Sequence, residues 1–437
     1  MRFRFVLMLL LAGSLLLPAA ANAIDLSADP WAEDDPDMAQ MDLLELLFAY
    51  GVIDEETYLE LQKLYAKRVY NGVRPTGSIL LDFTPWNQTP YDEVITYPGA
   101  PTDERGFRLR KAALGLAGSV YYNWLSFKVT AEARNSDDGR TDVGLEQAYI
   151  KAAYVPYRLR GSMFVPKHGF TLGAMKLPFS RQNLTSTNEL QLIHRAMVVD
   201  EMPISYDLGA TFDASYSYSY DLIKLSLRGG AFNGRGDKVY SADNNDNLLY
   251  AGRARLDLLN PMRRGEGDLQ PQFWPNKLLA KFPEATGPQL SFGFSYLQNN
   301  DIDRIVTAWG ADAEIRWFGV SLLGEIIHTR FEPDLTDTTL PDQYAEDWET
   351  DGWYVQGGYF IRWIDVELAA RYEQYNLDLL SDNMDRRRLA NTTYGLTWHA
   401  AGRHRAKLMA NYIMRAELEG MPEVDNDTVT LQAGLAF

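Results

Sequence analysis

Basic side chains recur two residues apart at several places in the chain: Arg108 with Arg110, Arg253 with Arg255, and Arg405 with Lys407. Lys224 and Arg228 stand four apart. Acids follow the same rule at Asp312 with Glu314 and at Asp365 with Glu367. Residues i and i+2 of an extended strand share a face, so each set presents like charges to one side. Paired guanidinium groups hold oxyanions through their forked N–H donors, and paired carboxylates attract cations. This chemistry is electrostatic: it orients a passing solute and makes no bond. Covalent catalysis would instead need Ser, His and a group that orients the His within hydrogen-bond reach. The five histidines, His168, His194, His328, His399 and His404, have no neighbouring serine pattern, so a lipid hydrolase is the less favoured reading. The formal charge of −17 makes nucleic acid an unexpected partner.

These charges need strands to hold them, and from residue 77 onward the sequence has a period of two. In 288–296, Leu290, Phe292, Phe294 and Tyr296 alternate with Ser291, Gly293 and Ser295. In 206–217, Leu208, Ala210, Phe212, Ala214 and Tyr216 alternate with Gly209, Thr211, Asp213 and Ser215. In 305–317, Thr307, Trp309, Ala311, Ala313, Ile315 and Trp317 alternate with Gly310, Asp312, Glu314 and Arg316. Such runs exceed the roughly 5–6 residues of an ordinary globular strand. One face is almost wholly apolar while the other carries ions, which suits lipid outside and water inside. Sixteen strands are expected, at 77–84, 106–118, 122–134, 144–154, 169–178, 206–217, 220–232, 248–259, 288–298, 304–317, 319–331, 352–362, 364–376, 389–399, 403–416 and 427–437.

Tight joints near Ser219, at Phe318-Gly319, at Trp363 and at Ala401-Gly402 alternate with long polar ones such as 332–351 and 377–388. That alternation marks periplasmic turns and extracellular loops. Segment 260–287 breaks it, being long where a short turn belongs. Pro261, Pro271, Pro275 and Pro283 make it either an ordered excursion or a sign that the strand count is off. The final strand ends on Phe437, and a terminal aromatic resembles the assembly signal of bacterial outer-membrane barrels. No segment after the first residues has the roughly 18 apolar residues of a membrane helix, and a closed barrel is the other way to pair every backbone group in lipid.

Residues 1–23 read as a secretory signal peptide, with Arg2 and Arg4, an apolar run from Phe5 to Leu17, and Ala21-Asn22-Ala23 before the cut. Residues 24–75 form an acidic stretch followed by a helical hairpin, in which Leu43, Leu44, Leu47 and Phe48 precede Gly51, and Asp54, Glu55 and Glu56 open a second helix. A periplasmic trimerising tether and a simple cap are both open for it. Residues 76–437 form the barrel. There are no cysteines, so this exported chain makes no use of disulfides. Loops 241–247 and 334–352 are rich in oxygen ligands but lack the twelve-residue calcium pattern, so neither metal nor cofactor is expected.

Gly106-Phe107-Arg108-Leu109-Arg110-Lys111-Ala112 with Leu114-Gly115-Leu116 resembles an early strand of the phosphate-selective porin O and P family. Gln147-Ala148-Tyr149-Ile150, Lys176-Leu177-Pro178-Phe179-Ser180 and Leu184-Thr185-Ser186-Thr187 are similar to later motifs of that family, in the same order. The hairpin from Leu43 to Lys63 is similar to the N-terminal helix many members carry. The resemblance implies a sixteen-stranded homotrimer whose third loop, here about 179–205, folds inward to narrow the pore. It also implies arginines at the constriction, a part that Arg108, Arg110, Arg181 and Arg195 would fill. The lysine ladder of the phosphate-selective members is not visible here.

With apolar faces toward lipid, the lumen rows carry Arg108, Arg110, Lys128 and Glu132, then Lys224 and Arg228, then Arg253, Arg255 and Asp257, and near the end Arg405, Lys407 and Arg415. Asp312, Glu314, Asp365 and Glu367 supply an acidic side. Closure brings the first and last strands together, so a transverse field across the pore is expected; the alternative is that these ions pair and brace the wall. The expectation is therefore an outer-membrane porin of a Gram-negative bacterium. It would be a passive diffusion channel for small hydrophilic solutes, possible anion (phosphate) preference included, seated among outer-membrane lipid and lipopolysaccharide. The alternatives are a non-conducting barrel used as adhesin or scaffold, against which the small inward residues Gly209, Ser215, Gly230, Gly293, Ser295, Gly395 and Gly434 count, and a soluble secreted β protein.

Overall fold

A computed structural model of the chain describes residues 73–87, 106–120, 125–135, 141–154, 164–202, 204–218, 223–236, 247–259, 265–267, 288–301, 304–333, 347–377, 387–401, 404–418 and 427–437. The signal peptide, the acidic stretch and the helical hairpin lie outside the described residues. Sixteen strands close into one antiparallel barrel in which each pairs with its chain neighbours and β1 closes on β16. They are β1 (Val73–Asn87), β2 (Gly106–Val120), β3 (Leu125–Asn135), β4 (Thr141–Tyr154), β5 (Phe164–Lys176), β6 (Tyr206–Tyr218), β7 (Ile223–Phe232) and β8 (Leu249–Leu258). The second half is β9 (Gln289–Asn300), β10 (Arg304–Trp317), β11 (Val320–Pro333), β12 (Trp348–Ile361), β13 (Val366–Leu377), β14 (Arg387–Ala401), β15 (Ala406–Leu418) and β16 (Thr428–Ala436). Each expected strand has its counterpart. Closure leaves no open edge, the condition for strands to cross lipid.

The two-residue rhythm sorts the side chains as expected. Phe292, Phe294, Trp309, Ile315 and Trp317 face outward and are exposed, while Ser291, Ser295, Asp312 and Glu314 face inward and are buried. Phe318 and Gly319, both at positive φ, make the two-residue β10–β11 turn, the backbone that tight hairpins favour. The barrel seam closes at Gly77 and Phe437, which exchange backbone hydrogen bonds of 2.8 and 3.0 Å. The Phe437 ring lies where a side chain at Gly77 would be.

Four register slips break the rhythm among the described strands, and two of them re-aim charged residues. On β2, Leu80 faces Lys111 and Leu81 faces Leu109, so Arg110 is the extra residue of a bulge. On β4, Thr130 faces Gln147 and Ala131 faces Leu145, which leaves Glu146 as the extra residue. A bulge re-aims side chains. Here Arg110 and Lys111 both turn inward, although regular alternation would send one of them to lipid.

The interior is not uniformly wet. Inward residues Phe232, Leu249, Leu297, Leu323, Ile327, Tyr354 and Tyr375 form one buried cluster with Leu177, Phe179, Val198, Val199 and Ile204 of the β5–β6 connection. This connection, the third extracellular loop (177–205), is folded into the barrel and packs on the inner wall. The loop contains α1 (Arg181–Leu184), a single 3-10 turn (Thr187–Glu189) and α2 (Met197–Asp200).

Candidate constriction site

The third loop begins with a strained residue. Ser180 has φ 61 and ψ 138, a region non-glycine residues rarely occupy. Its Oγ accepts from Asn183 N at 3.2 Å, capping α1. The Glu325 carboxylate on β11 accepts from Arg181 N at 2.9 Å and from Tyr354 Oη at 3.0 Å. The free N–H groups of the first helical turn are thereby met by wall residues.

Arg181 then enters the acidic flank. Its Nε donates to Asp312 at 2.7 Å, its Nη1 to Glu314 at 2.5 Å, and its Nη2 to Ser291 Oγ at 2.5 Å. Asp312 also takes Arg253 Nη2 at 2.6 Å, and Glu314 takes Arg316 Nε at 2.5 Å. The two acids expected to face a pore are therefore buried in a five-residue ionic cluster, roofed by the loop.

From there the loop tracks along β14 and β15 and back over β13 and β12. Lys407 Nζ donates to Leu190 O at 2.7 Å, and Gln191 Nε2 to Glu367 at 2.7 Å. Arg371 donates to His194 O at 2.8 Å and to Arg195 O at 2.9 Å. Glu373 accepts from Met197 N at 2.7 Å. At its farthest reach the loop touches β2, where Arg110 Nη1 lies 3.0 Å from His194 Nδ1. A guanidinium can only donate, so the imidazole accepts and is neutral. Burial, and then the charges of Arg110, Arg371, Arg415 and Arg108, hold His194 well below the ordinary histidine value.

The loop meets the β2–β8 wall at its two ends, at Arg110 on β2 and at Phe232 and Leu249 on β7 and β8, and its main contacts lie on the opposite wall. The β2–β8 wall carries Arg108, whose side chain is exposed, Arg110, Lys111, Lys128, Lys151, Lys224, Arg228 and Arg255. Its carboxylates are fewer: Glu132 and Asp207 are buried, Glu146 takes Lys111 at 2.6 Å, Asp213 takes Lys151 at 3.2 Å and also Arg228, and Asp257 takes Arg255 at 2.9 Å. A Lys or Arg that shares a neutralised carboxylate with a second cation still presents positive potential to the water beside it.

The structure thus brings together Arg108, Arg110 and the loop's His194, and separately Arg181 and Arg253 with Asp312 and Glu314. Arg195 braces the loop from within, donating to Gln182 O and Thr185 O at 3.2 and 2.9 Å. Arg405 and Asp365 lie in turns at the periplasmic rim and not on wall rows. Lys111 and Glu146 escaped the sequence reading because both depend on the bulges. Glu325 escaped it as one acid in the apolar run Val320-Ser321-Leu322-Leu323-Gly324-Glu325-Ile326-Ile327. Most of the amide-rich loop 241–247 and most of 334–352 lie outside the described residues, and among the described residues no cluster of metal ligands occurs.

A closed sixteen-stranded barrel with an apolar belt, a charged interior and one extracellular loop folded inside is the architecture of an outer-membrane porin. The sequence profile of the phosphate-selective porin O and P family matches residues 91–258 and 301–437, more than half of the chain. The chain belongs to that family and is a channel of the bacterial outer membrane. An uncharacterized protein of Aquifex aeolicus (strain VF5) is 22% identical over 411 residues, 86% of this chain and 89% of the relative. Among solved structures, Salmonella typhi OmpF in complex with daunomycin superposes with a TM-score of 0.52 at 11% identity, covering 85% of this chain and 99% of that one. A loop L8 deletion mutant of OmpT, an outer membrane protein of Vibrio cholerae, gives 0.51 at 9% identity over 84% and 99%. At such identities the likeness is one of fold.

Proposed function

We propose that this porin works as a homotrimer, prefers small anionic solutes over cationic ones, and sorts them at the level of the third loop. One observation carries the preference: Asp312 and Glu314 are neutralised by Arg181, Arg253 and Arg316 beneath the loop, whereas Arg108, Arg110, Lys111 and Lys128 line the flank it leaves open. Solutes therefore meet the basic wall and not the acidic one, whatever the sign of the total charge. Fixed donors along a wet path select by charge without a tight site. The two readings of the lumen ions divide by flank, bracing on β9–β13 and field on β2–β8.

A lipid-hydrolysing role gains no support from the histidines. His399 faces Glu367 and the rings of Phe360 and His404, His328 lies against Trp309, and His168 against Phe212 and Tyr216. The outward apolar rows suit lipid and the acyl part of lipopolysaccharide. Residues 1–23 act as a cleaved export signal and the following residues as a periplasmic segment that ends before β1 at Val73, three residues earlier than the expected boundary, so N-terminal sequencing of the mature protein should start at Ile24.

Planar-bilayer recording tests the channel reading. The purified protein should insert with conductance steps grouped in threes, and its reversal potential in a salt gradient should have the sign of anion preference. A cation-selective potential would overturn the assignment of the open flank, and single ungrouped steps would overturn the trimer.

A further inference from the structure

The β8–β9 connection is periplasmic by the parity of the strands, yet part of it lies inside the barrel. Gly265, Glu266 and Gly267 are all buried, and Glu266 is 2% exposed. Both glycines have positive φ, 89 and 82, which other residues adopt only under strain. A side chain at Gly267 would collide with the Glu367 carboxylate, and one at Gly265 would stand 2.9 Å from His404 Nε2. The narrow backbone of the two glycines is what lets this finger pass between wall and loop.

The finger carries one carboxylate into the underside of the third loop. Glu266 accepts from Gln182 Nε2 at 2.7 Å, from Gln191 N at 3.0 Å, and from Gln356 Nε2 on β12 at 2.9 Å. Its own N–H donates to Glu189 O at 2.9 Å, and the Arg316 guanidinium donates to Gly265 O. Both ends of the loop's first half, α1 through Gln182 and the chain after the 3-10 turn through Gln191, converge on the same two oxygens. An ionised carboxylate accepts and does not donate, so it can gather donors from all three elements, two of which also meet directly where Gln356 Nε2 donates to Gln191 Oε1 at 2.8 Å.

We propose that Glu266 is a positioning residue for permeation: the Gly265–Gly267 finger, entering from the periplasmic side, latches the extracellular constriction loop and so fixes the width and steadiness of the pore. The constriction is then set from both faces of the membrane. This rests on the channel reading above, which wild-type conductance tests on its own.

The experiment compares single-channel traces of wild type, Glu266→Ala, Glu266→Gln and Gln356→Met, with heat-modifiable migration in detergent as the measure of barrel folding. Loss of several hydrogen bonds to a charged acceptor shifts the held-to-released ratio of the loop by at least about tenfold. Glu266→Ala should therefore spend at least about ten times longer than wild type away from the main conductance level, with folding unchanged. Glu266→Gln should share the defect in smaller measure, because its one amide nitrogen replaces one of the two accepting oxygens and faces either the Gln182 donor or those of Gln191 and Gln356. Gln356→Met leaves the finger intact and removes the Nε2 that donates both to Glu266 and, at 2.8 Å, to Gln191 Oε1; it should shift in the same direction by less, and it carries the test if the Glu266 variants fail to fold. Folded variants whose traces match wild type would overturn the latch and leave the porin reading standing; a wild type that passes no current would overturn the porin reading.

Discussion

Truncating Arg181 to alanine removes the third loop's ionic anchor, and the structure says which consequence dominates. Asp312 keeps Arg253 at 2.6 Å and Glu314 keeps Arg316 at 2.5 Å, so neither acid is left without a cation. Breaking a buried pair outright costs about 3–5 kcal/mol; with half the compensation retained, the loss here is about 2 kcal/mol. Against this stand Leu177, Phe179, Leu190, Leu192, Ile193, Val198, Val199 and Ile204, all 5% exposed or less. At about 1.5–3 kcal/mol for each buried apolar side chain, they hold the loop by more than 10 kcal/mol gross. Packing wins, and the loop stays docked. What changes is charge: one guanidinium leaves a cluster holding two carboxylates, so the lumen becomes more negative. The reversal potential of Arg181→Ala in a salt gradient should move toward cation preference, with a conductance far below that of a variant lacking residues 181–200. Adding Glu314→Gln should return the potential toward wild type. Conductance equal to that of the loop-deleted channel would refute the packing estimate. An unmoved potential would show that Asp312 and Glu314 are screened from the ion path.

Replacing Arg108 and Arg110 together with glutamine should reduce anion preference in the same assay without altering heat-modifiable folding; an unchanged preference would remove these arginines from the constriction. His194 supplies a pH signature. Its folded value lies below its ordinary one, so below about pH 6.5 the unfolded loop binds the proton that the docked loop refuses. Docking is then fully stable above that pH and weakens as pH falls, which trace noise between pH 8 and pH 5 should register; His194→Gln should remove the acid dependence. Gly77→Ala should lower the yield of folded barrel, because the added methyl meets the Phe437 ring and stands 2.9 Å from Ala113 O. Recovery in Gly77→Ala with Phe437→Leu would place the fault at that contact.

The barrel was legible because lipid and water impose opposite demands on alternate residues, and a demand repeated along each strand survives local exceptions. Strand ends were less so. β5 starts at Phe164, where the sequence reading began at 169, because Pro166 and His168 interrupt the rhythm and their places are set by pairing to Tyr216 and Ala214 on β6. Asp312 and Glu314 are buried on the inner face, but nothing near them in the chain announces their partner, since Arg181 reaches them from more than a hundred residues away. No local pattern records that distance. Glu266 was the hardest, as its surroundings are built from α1, the loop after the 3-10 turn, and β12. The one available signal was a carboxylate between two glycines in a connection too long for its side of the membrane.

A second signal is clear once its physical cause is known. β11 is apolar on both faces over much of its length: Leu322 and Ile326 are exposed to the outside, while Leu323 and Ile327 are buried inside. A strand whose inner face meets water gains nothing from leucine there. Two-sided apolar strands in a lipid-facing barrel therefore mark the stretch of wall that an inserted loop must cover, here β8 to β12, where Leu249, Leu297, Leu323 and Ile327 face inward. On the proposed reading, water and solute are displaced to the remaining arc, where its charges act at closest range and the cluster under the loop acts only through its net charge. For this reason the acidic total of −17 and the basic character of the path are compatible. On that reading the apolar rows under the loop decide which charges a solute meets, and the arginines of β2 are the ones proposed to meet it.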